Sequence, residues 1–291
     1  MKTRIIVSVV LLPFFFAVLF FLPPFVLAII VSLITAIAAY ELINATGFKN
    51  YKRVLVYTII AAALVPGAVY LSSLPALTQS STNSSLSILT LITLLTAIFF
   101  FLMCLLVIEL VLTFKTEKQL KLRHILISLA GGMVIPYMLS ALISLKAMPE
   151  GHLLVLLPII AAFLTDSGAY FTGKAIGKRQ AFPKISPKKT VEGCIGGLII
   201  GIAGMLIYGL ILANTTGLII KYPLLIVYGV IGAVITELGD LAFSLIKRKC
   251  GIKDYGKLIP GHGGVLDRFD SMTFTAPAMY LLVLILPAII N

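Results

Sequence analysis

The sequence predicts an all-α integral membrane protein that crosses the bilayer many times. Two observations support this fold class: 60% of the 291 residues are hydrophobic and only 12% are charged, and the mean hydropathy is +1.11. A soluble domain of this length would carry about twice as much charge. Because no water reaches the backbone inside lipid, helices are expected to form the spans and open sheets are not.

Nine apolar stretches are each long enough to cross a bilayer, which takes roughly 20 residues per helical span. The first stretch resembles a signal peptide, since Lys2 and Arg4 precede its apolar run. It continues through Pro23 and Pro24 into the second stretch, so we expect a membrane hairpin at the N-terminus. The nine predicted spans are 5–22, 24–43, 54–72, 86–112, 125–145, 152–172, 192–213, 222–246 and 271–290.

The net charge of +12 is spread unevenly over the connections between these spans. The N-terminus and alternate connections hold 2, 3, 4, 6 and 6 Lys and Arg residues, together 21 of the 23. The opposite side holds only Lys146 and Lys221. Basic residues favour the cytoplasmic side of a membrane, so nine spans place the N-terminus inside and the C-terminus outside. Topology therefore explains the charge, and no nucleic-acid partner is expected.

We expect a single membrane domain over residues 1–291, because no linker separates two folded units. The inner connections at about 173–191 and about 247–270 are longer than plain loops usually are, and both are densely charged. The three cysteines are scattered and odd in number, which indicates neither a disulfide framework nor a metal–thiolate site.

Several acidic residues lie within or at the ends of predicted spans. An ionisable group there costs roughly 2.5–3.5 kcal/mol on insertion scales, so it usually has a partner or a function. Glu41 and Glu109 are assigned structural roles, since basic residues lie close by along the chain. Asp166, Glu237 and Asp240 converge on the two charged inner segments and are the functional candidates.

The eighth span carries a polar stripe that runs to the inner surface. Glu237, Asp240, Ser244 and Lys247 follow i, i+3, i+7, i+10 spacing, which places them on one helix face. Carboxylate and hydroxyl oxygens suit a hard cation such as Mg²⁺. Lys247, with the adjacent Arg248, stands where a phosphate group would bind. A polar stripe alone is more often a helix–helix contact.

The loop after this span combines glycines with charged side chains. Backbone amides of glycine-rich turns approach phosphate oxygens closely and form anion-binding nests. Asp267 offers a second metal-binding carboxylate, and Arg268 a planar fork for phosphate. His262 has the alternative of bonding within its own turn. The loop residues in question are Lys253, Asp254, Gly256, Pro260, Gly261, His262, Gly263, Gly264, Asp267, Arg268 and Asp270.

The ordered set of residues over the 27 positions from Ser244 to Asp270 carries a family resemblance. It consists of Ser244, Ile246, Lys247, Arg248, Lys253, Asp254, Gly256, Ile259, Pro260, His262, Gly263, Gly264, Val265, Asp267, Arg268, Phe269 and Asp270. This set resembles the signature of the phosphatidate cytidylyltransferases, or CDP-diacylglycerol synthases, without a departure. A second segment over 166–193, with Asp166, Ser167 and Gly168 at its start, is similar to the other inner polar segment of that family.

The resemblance implies an enzyme of phospholipid biosynthesis that converts CTP and phosphatidate into CDP-diacylglycerol and pyrophosphate. It implies Mg²⁺ as cofactor, with a second cation left open. Asp240 and Asp267 would be catalytic metal ligands, with Asp166 and Glu237 as additional candidates, and Lys247 and Arg248 would be catalytic cations. Implied substrate-binding residues are Ser186, Lys188, Lys189, Thr190, Ser244, Lys253, Asp254, His262, Gly263, Gly264, Arg268 and Asp270.

The implied partners are the two substrates and the lipid bilayer, and the family suggests a homodimer. The implied location is the inner membrane of a bacterium, with the active site on the cytoplasmic side. An ion-coupled transporter could use Asp166, Glu237 and Asp240, but it would not need the dense basic loop. A CTP-dependent lipid kinase would have a related site and release CDP instead of pyrophosphate. A scaffold without activity would leave costly carboxylates in the membrane without a use.

Overall fold

The computed structural model describes residues 20–47, 51–74, 81–114, 119–258 and 263–290, with side chains from residue 86 in the third range. These residues are mostly helical and include seven helices that are long and apolar enough to cross a membrane. The seven are Pro24–Ala45, Lys52–Ser72, Leu86–Thr113, Leu122–Ala147, Gly151–Ile176, Val191–Thr215 and Tyr222–Lys249. Predicted spans two to eight are thus confirmed as helices of spanning length.

The two remaining predicted spans have different outcomes. The first, 5–22, lies almost entirely outside the described residues. The ninth, 271–290, corresponds to a helix over Leu266–Ile285, which is not among the seven. Its first two turns carry Asp267, Arg268 and Asp270, so the apolar part of this helix is short.

The chain divides into two compact units. The first unit comprises Met1–His152 and Ile252–Arg268, and the second comprises Leu153–Gly251 and Phe269–Asn291. The expectation of a single domain stays a prediction.

The first unit is a bundle of long apolar helices. Helix α1 begins at Pro24, where a proline loses no helical hydrogen bond. It packs on α2, and α2 packs on α3. Buried Val54, Leu102 and Leu106 are at the centre of the α2–α3 core. The helices are α1 (Pro24–Ala45), α2 (Lys52–Ser72), α3 (Ser81–Thr113), α4 (Leu122–Leu129), a π-helical turn (Ala130–Val134), α5 (Ile135–Leu139) and α6 (Ala141–Ala147).

The second unit places a short hairpin between two long helices. Strands β1 and β2 pair antiparallel, and β3 pairs antiparallel with β4. The short helix α7 precedes the long helices of the unit. The Leu266–Ile285 helix belongs to the unit from Phe269 onward. Its elements are α7 (Gly151–Leu154), α8 (Leu156–Ile176), β1 (Gln180–Phe182), β2 (Ser186–Thr190), α9 (Val191–Thr215), β3 (Ile219–Ile220), α10 (Tyr222–Lys249), α11 (Leu266–Ile285) and β4 (Ile289–Ile290).

Glycines on one face of α9 determine how closely α8 approaches. Gly193, Gly196 and Gly197 are buried, and a Cβ atom at Gly197 would lie 2.8 Å from the carbonyl oxygen of Thr165. Small residues of this kind let membrane helices pack backbone to backbone. The resulting α8–α9 pair, with α10 packed on both, is the framework that carries the polar side chains of the second unit.

Candidate active site

Helix α10 presents two carboxylates that share one lysine. Lys189, at the end of β2, places its Nζ 2.5 Å from Oε2 of Glu237 and 2.7 Å from Oδ2 of Asp240. The three-residue spacing puts both carboxylates on one side of the helix, as the sequence predicts. Lys189 was assigned to substrate binding by resemblance; in the structure it is the counter-ion of two candidate metal ligands.

Lys189 remains protonated at physiological pH. Burial alone would lower the pKa of its ammonium group, but the adjacent Asp240 and Glu237 carboxylates raise it more. The pKa therefore lies above its ordinary value. The lysine acts as a fixed positive charge and is not a proton donor or acceptor in this arrangement.

Helices α8 and α11 contribute two more carboxylates to the same unit. Asp166 accepts a hydrogen bond at Oδ2 from the Ser271 hydroxyl at 3.3 Å. Lys247 Nζ lies 3.5 Å from Oδ2 of Asp270, and both residues are buried. Ser244 Oγ lies 3.4 Å from Oδ1 of Asp240. Asp166 interacts electrostatically with Asp240, Asp270, Glu237 and Lys189, so these groups form one network, here called the carboxylate cluster.

Acidic side chains outnumber basic ones in the described part of the carboxylate cluster. Among the described residues, the cluster contains four carboxylates, from Asp166, Glu237, Asp240 and Asp270, and two ammonium groups, those of Lys189 and Lys247. Buried charges normally need compensation by partners or metal ions. A cluster of this composition can accept a cation.

One carboxylate oxygen of the cluster lacks a hydrogen-bond partner among the described residues. Oε1 of Glu237 is buried without a hydrogen-bond partner among the described residues. The thiol of Cys194, a weak donor, interacts with the same carboxylate. Within the described ranges, no three His, Cys, Asp or Glu side chains are arranged to hold a metal ion directly. This donor set fits Mg²⁺, which binds one or two carboxylates and keeps several waters.

Residues 252–258 and 263–265, here called the signature loop, belong to the first unit and surround the Asp267 side chain. The Asp267 carboxylate is buried, and its Oδ2 accepts the backbone N–H groups of Tyr255 at 2.8 Å and Gly264 at 3.0 Å. Gly263 takes a φ of +85°, which few other residues adopt without strain. This carboxylate therefore organises its own loop, whatever else it binds.

A second carboxylate of the first unit also bonds this loop. Glu41, near the end of α1, accepts the N–H groups of Val265 and Leu266. The partners that the described residues provide are these two backbone amides and not a basic side chain. Glu109, by contrast, lies 3.7 Å from Arg53 as an ion pair, in agreement with its structural assignment.

The other predicted site residues lie as follows. Arg248 Nε donates to the Ile185 carbonyl at 3.0 Å and so ties α10 to the β1–β2 turn. Thr190 caps α9 by accepting the Gly193 N–H at 3.1 Å. Ser186 is half-buried, and His262 lies outside the described residues. The exposed candidates are Lys188, Lys253, Asp254 and Arg268.

Comparison with known proteins identifies the family. The profile described as "Cytidylyltransferase family" matches residues 2–286 of the chain. A protein named phosphatidate cytidylyltransferase from Bacillus subtilis is 46% identical over 123 residues, which cover 42% of this chain and 44% of the relative. A protein of the same name from Haemophilus influenzae is 45% identical over 128 residues, which cover 44% of each chain. Another from Synechocystis is 40% identical over 147 residues, which cover 49% of this chain and 47% of the relative. The chain spans about half the length of the curated relatives it matches.

Proposed function

The chain belongs to the cytidylyltransferase family, and on that premise we propose that it transfers the cytidylyl group of CTP to phosphatidate. The products would be CDP-diacylglycerol and pyrophosphate. Relatives named phosphatidate cytidylyltransferase support this choice of substrates. The observation that carries the proposal is the carboxylate cluster, in which described acidic side chains outnumber basic ones and Oε1 of Glu237 has no described hydrogen-bond partner. Such a cluster is suited to a divalent cation.

The reaction brings together two anions. A phosphate oxygen of phosphatidate attacks the α-phosphorus of CTP and forms a new P–O bond. The bond from that phosphorus to the α–β bridging oxygen breaks, and pyrophosphate leaves with the electron pair. Such transfers need positioning and charge stabilisation more than a protein nucleophile. A site rich in fixed charges matches this need.

The chain's own residues would divide this work. Asp240 and Glu237 would hold Mg²⁺, which when bound supplies charge screening for the phosphates. Lys189 keeps both carboxylates in place and limits their repulsion. Lys247 and Arg248 would contact phosphate oxygens, as would the exposed Lys188, Lys253 and Arg268. The roles of Asp267 as a ligand and of Ser186, Asp254, His262, Gly263 and Asp270 at the substrates stay predictions.

We also propose nine spans, with the N-terminus in the cytoplasm and the C-terminus outside. The distribution of basic residues supports this orientation, since the connections that follow α1, α3, α8 and α10 are basic. The charged ends of α8 and α10 would then face the cytoplasm, where CTP is available. Residence in a bacterial inner membrane and assembly as a homodimer complete the proposal and stay predictions.

Asp240→Asn should abolish turnover, because it removes a carboxylate charge from the cluster while keeping the side-chain shape. The measurement is pyrophosphate release by purified protein in detergent micelles with CTP, phosphatidate and Mg²⁺. Asp267→Asn should have the same effect. Glu109→Gln is the matched control, since it also removes a buried membrane carboxylate and should keep activity. Wild-type turnover in Asp240→Asn would refute the metal assignment.

A further inference from the structure

Glu41 is a buried carboxylate whose partners are backbone amides distant in the chain. Its side chain is at the inner end of α1, and the residue is 4% exposed. Oε1 accepts the N–H of Val265 at 3.0 Å, and Oε2 accepts the N–H of Leu266 at 2.8 Å. Each oxygen thus receives one bond from the signature loop, 224 and 225 positions away.

These two amides belong to the start of α11. The first N–H groups of a helix have no partner within the helix, and the positive end of the helix dipole favours an anion there. Hydrogen bonds from N–H groups to a carboxylate are stronger than those to a neutral acceptor. Glu41 therefore caps α11 from another helix.

Two glycines of the signature leave room for this carboxylate. A Cβ atom at Gly256 would collide with Oε1 of Glu41, and one at Gly264 would collide with Oε2. The sequence pattern suggests that these glycines serve a phosphate nest. In the structure the anion beside them is a carboxylate of the protein itself. An alanine at either glycine would therefore displace the Glu41 carboxylate.

Two carboxylates accept hydrogen bonds from the backbone of the loop. Asp267 accepts the amides of Tyr255 and Gly264, and Glu41 accepts the next two amides, those of Val265 and Leu266. Four backbone donors of one loop are thus bound by two internal anions. Asp267 belongs to the loop itself, whereas Glu41 belongs to α1 and joins the loop to that helix through its bonds with Val265 and Leu266.

We infer that Glu41 is a positioning residue that holds residues 252–258 and 263–268 in their working conformation. It fixes the segment that carries the exposed Lys253 and Arg268. In this role Glu41 does not contact a substrate itself. Its effect on catalysis rests on the proposed function, because those cations matter only if phosphates bind there. Its effect on the order of the loop does not depend on any reaction.

Glu41→Gln tests the inference with little change in shape. Glutamine keeps one oxygen acceptor but turns an NH₂ group toward the other backbone N–H, so one amide loses its acceptor. We expect hydrogen exchange in the peptide containing Val265 and Leu266 to become roughly ten- to hundredfold faster. The measurement is exchange mass spectrometry on the full chain in detergent micelles. Glu109→Gln, which removes another buried carboxylate of the same unit, should leave that peptide unchanged.

A kinetic comparison separates positioning from general stability. Glu41→Gln should raise the KM for CTP or lower kcat at temperatures where the far-UV spectrum and exchange in α2 and α3 match those of the wild type. Gly256→Ala reaches the same contact from the loop side and should give the same local exchange. It replaces Glu41→Gln if that variant fails to insert.

The outcomes are distinguishable from those for the proposed function. Unchanged exchange of the 265–266 peptide in Glu41→Gln would overturn the inference. So would faster exchange throughout the first unit, because Glu41 would then be a general stabiliser. If the wild type shows no transfer from CTP, the proposed function fails, while the exchange comparison still decides the role of Glu41.

Discussion

At the scale of single residues, the main finding is that one lysine forms ion pairs with two carboxylates, those of Glu237 and Asp240. Lys189 and Lys188 are adjacent in the sequence, and the resemblance gives both the same substrate-binding role. The structure separates them, since Lys189 is largely buried between Glu237 and Asp240 and Lys188 is exposed. Adjacent lysines therefore have different environments and different expected roles.

Lys189→Ala should lower stability and abolish activity, because it leaves two carboxylates without their counter-ion. Breaking a largely buried pair costs about 3–5 kcal/mol. Lys188→Ala is the matched control and should change the free energy of unfolding by less than about 0.5 kcal/mol, with its main effect on KM. Thermal unfolding in micelles measures the first quantity, and initial rates the second. Equal melting temperatures for the two variants would contradict the counter-ion role.

Residue pairing is also where sequence reasoning reaches its limit. The spacing of Glu237 and Asp240 predicts their shared face, and the structure agrees. The contact of Lys189 with Glu237, 48 positions away, could not be predicted, because local spacing carries no information about contacts between distant segments. The same holds for Glu41, whose amide partners lie more than 200 positions away. The only available signal was a carboxylate at the inner end of a span.

At the scale of elements, long apolar runs determine the helices, and this level was predictable. The predicted span 24–43 is observed as Pro24–Ala45, and 222–246 as Tyr222–Lys249. The β1–β2 hairpin was not predicted, because its strands are short and segment 180–190, with its Pro and Lys residues, lacks a typical strand pattern. The helix over Leu266–Ile285 begins five residues before the predicted span, since its first turns are polar.

Gly197→Ala should destabilise the α8–α9 pair. The new methyl group would lie about 2.8 Å from the carbonyl oxygen of Thr165, so the helices must separate, at a cost of about 1–3 kcal/mol. Gly67→Ala in α2 is the control, because nothing lies within 4 Å of its added Cβ. That variant should be neutral or slightly more stable, since alanine favours helix. The prediction fails if both variants melt at the wild-type temperature.

At the scale of the whole molecule, orientation in the membrane decides which substrates can reach the charged segments. The described residues include seven helices of spanning length, and the nine-span topology and its orientation stay predictions. CTP is a cytoplasmic nucleotide and phosphatidate a lipid. A site at the inner ends of α8 and α10 would receive one from water and the other from the bilayer.

Cysteine labelling tests this orientation across a single helix. Lys184→Cys lies in the β1–β2 turn before α9, and Thr216→Cys lies just after it. In a background where Cys104, Cys194 and Cys250 are replaced by serine, an impermeant maleimide should label Thr216→Cys in intact cells. Lys184→Cys should react only after permeabilisation. The reverse pattern would contradict the proposed topology.

The central claim is that a cytidylyl group moves from CTP to phosphatidate. The most direct measurement is the position of label after incubation of purified protein with phosphatidate, Mg²⁺ and CTP labelled at either the α- or the γ-phosphate. The account predicts label in the lipid fraction from the α-phosphate only, lost on removal of Mg²⁺ and in Asp240→Asn. Label in lipid from the γ-phosphate would make the chain a kinase, and no transfer from either position would contradict the account.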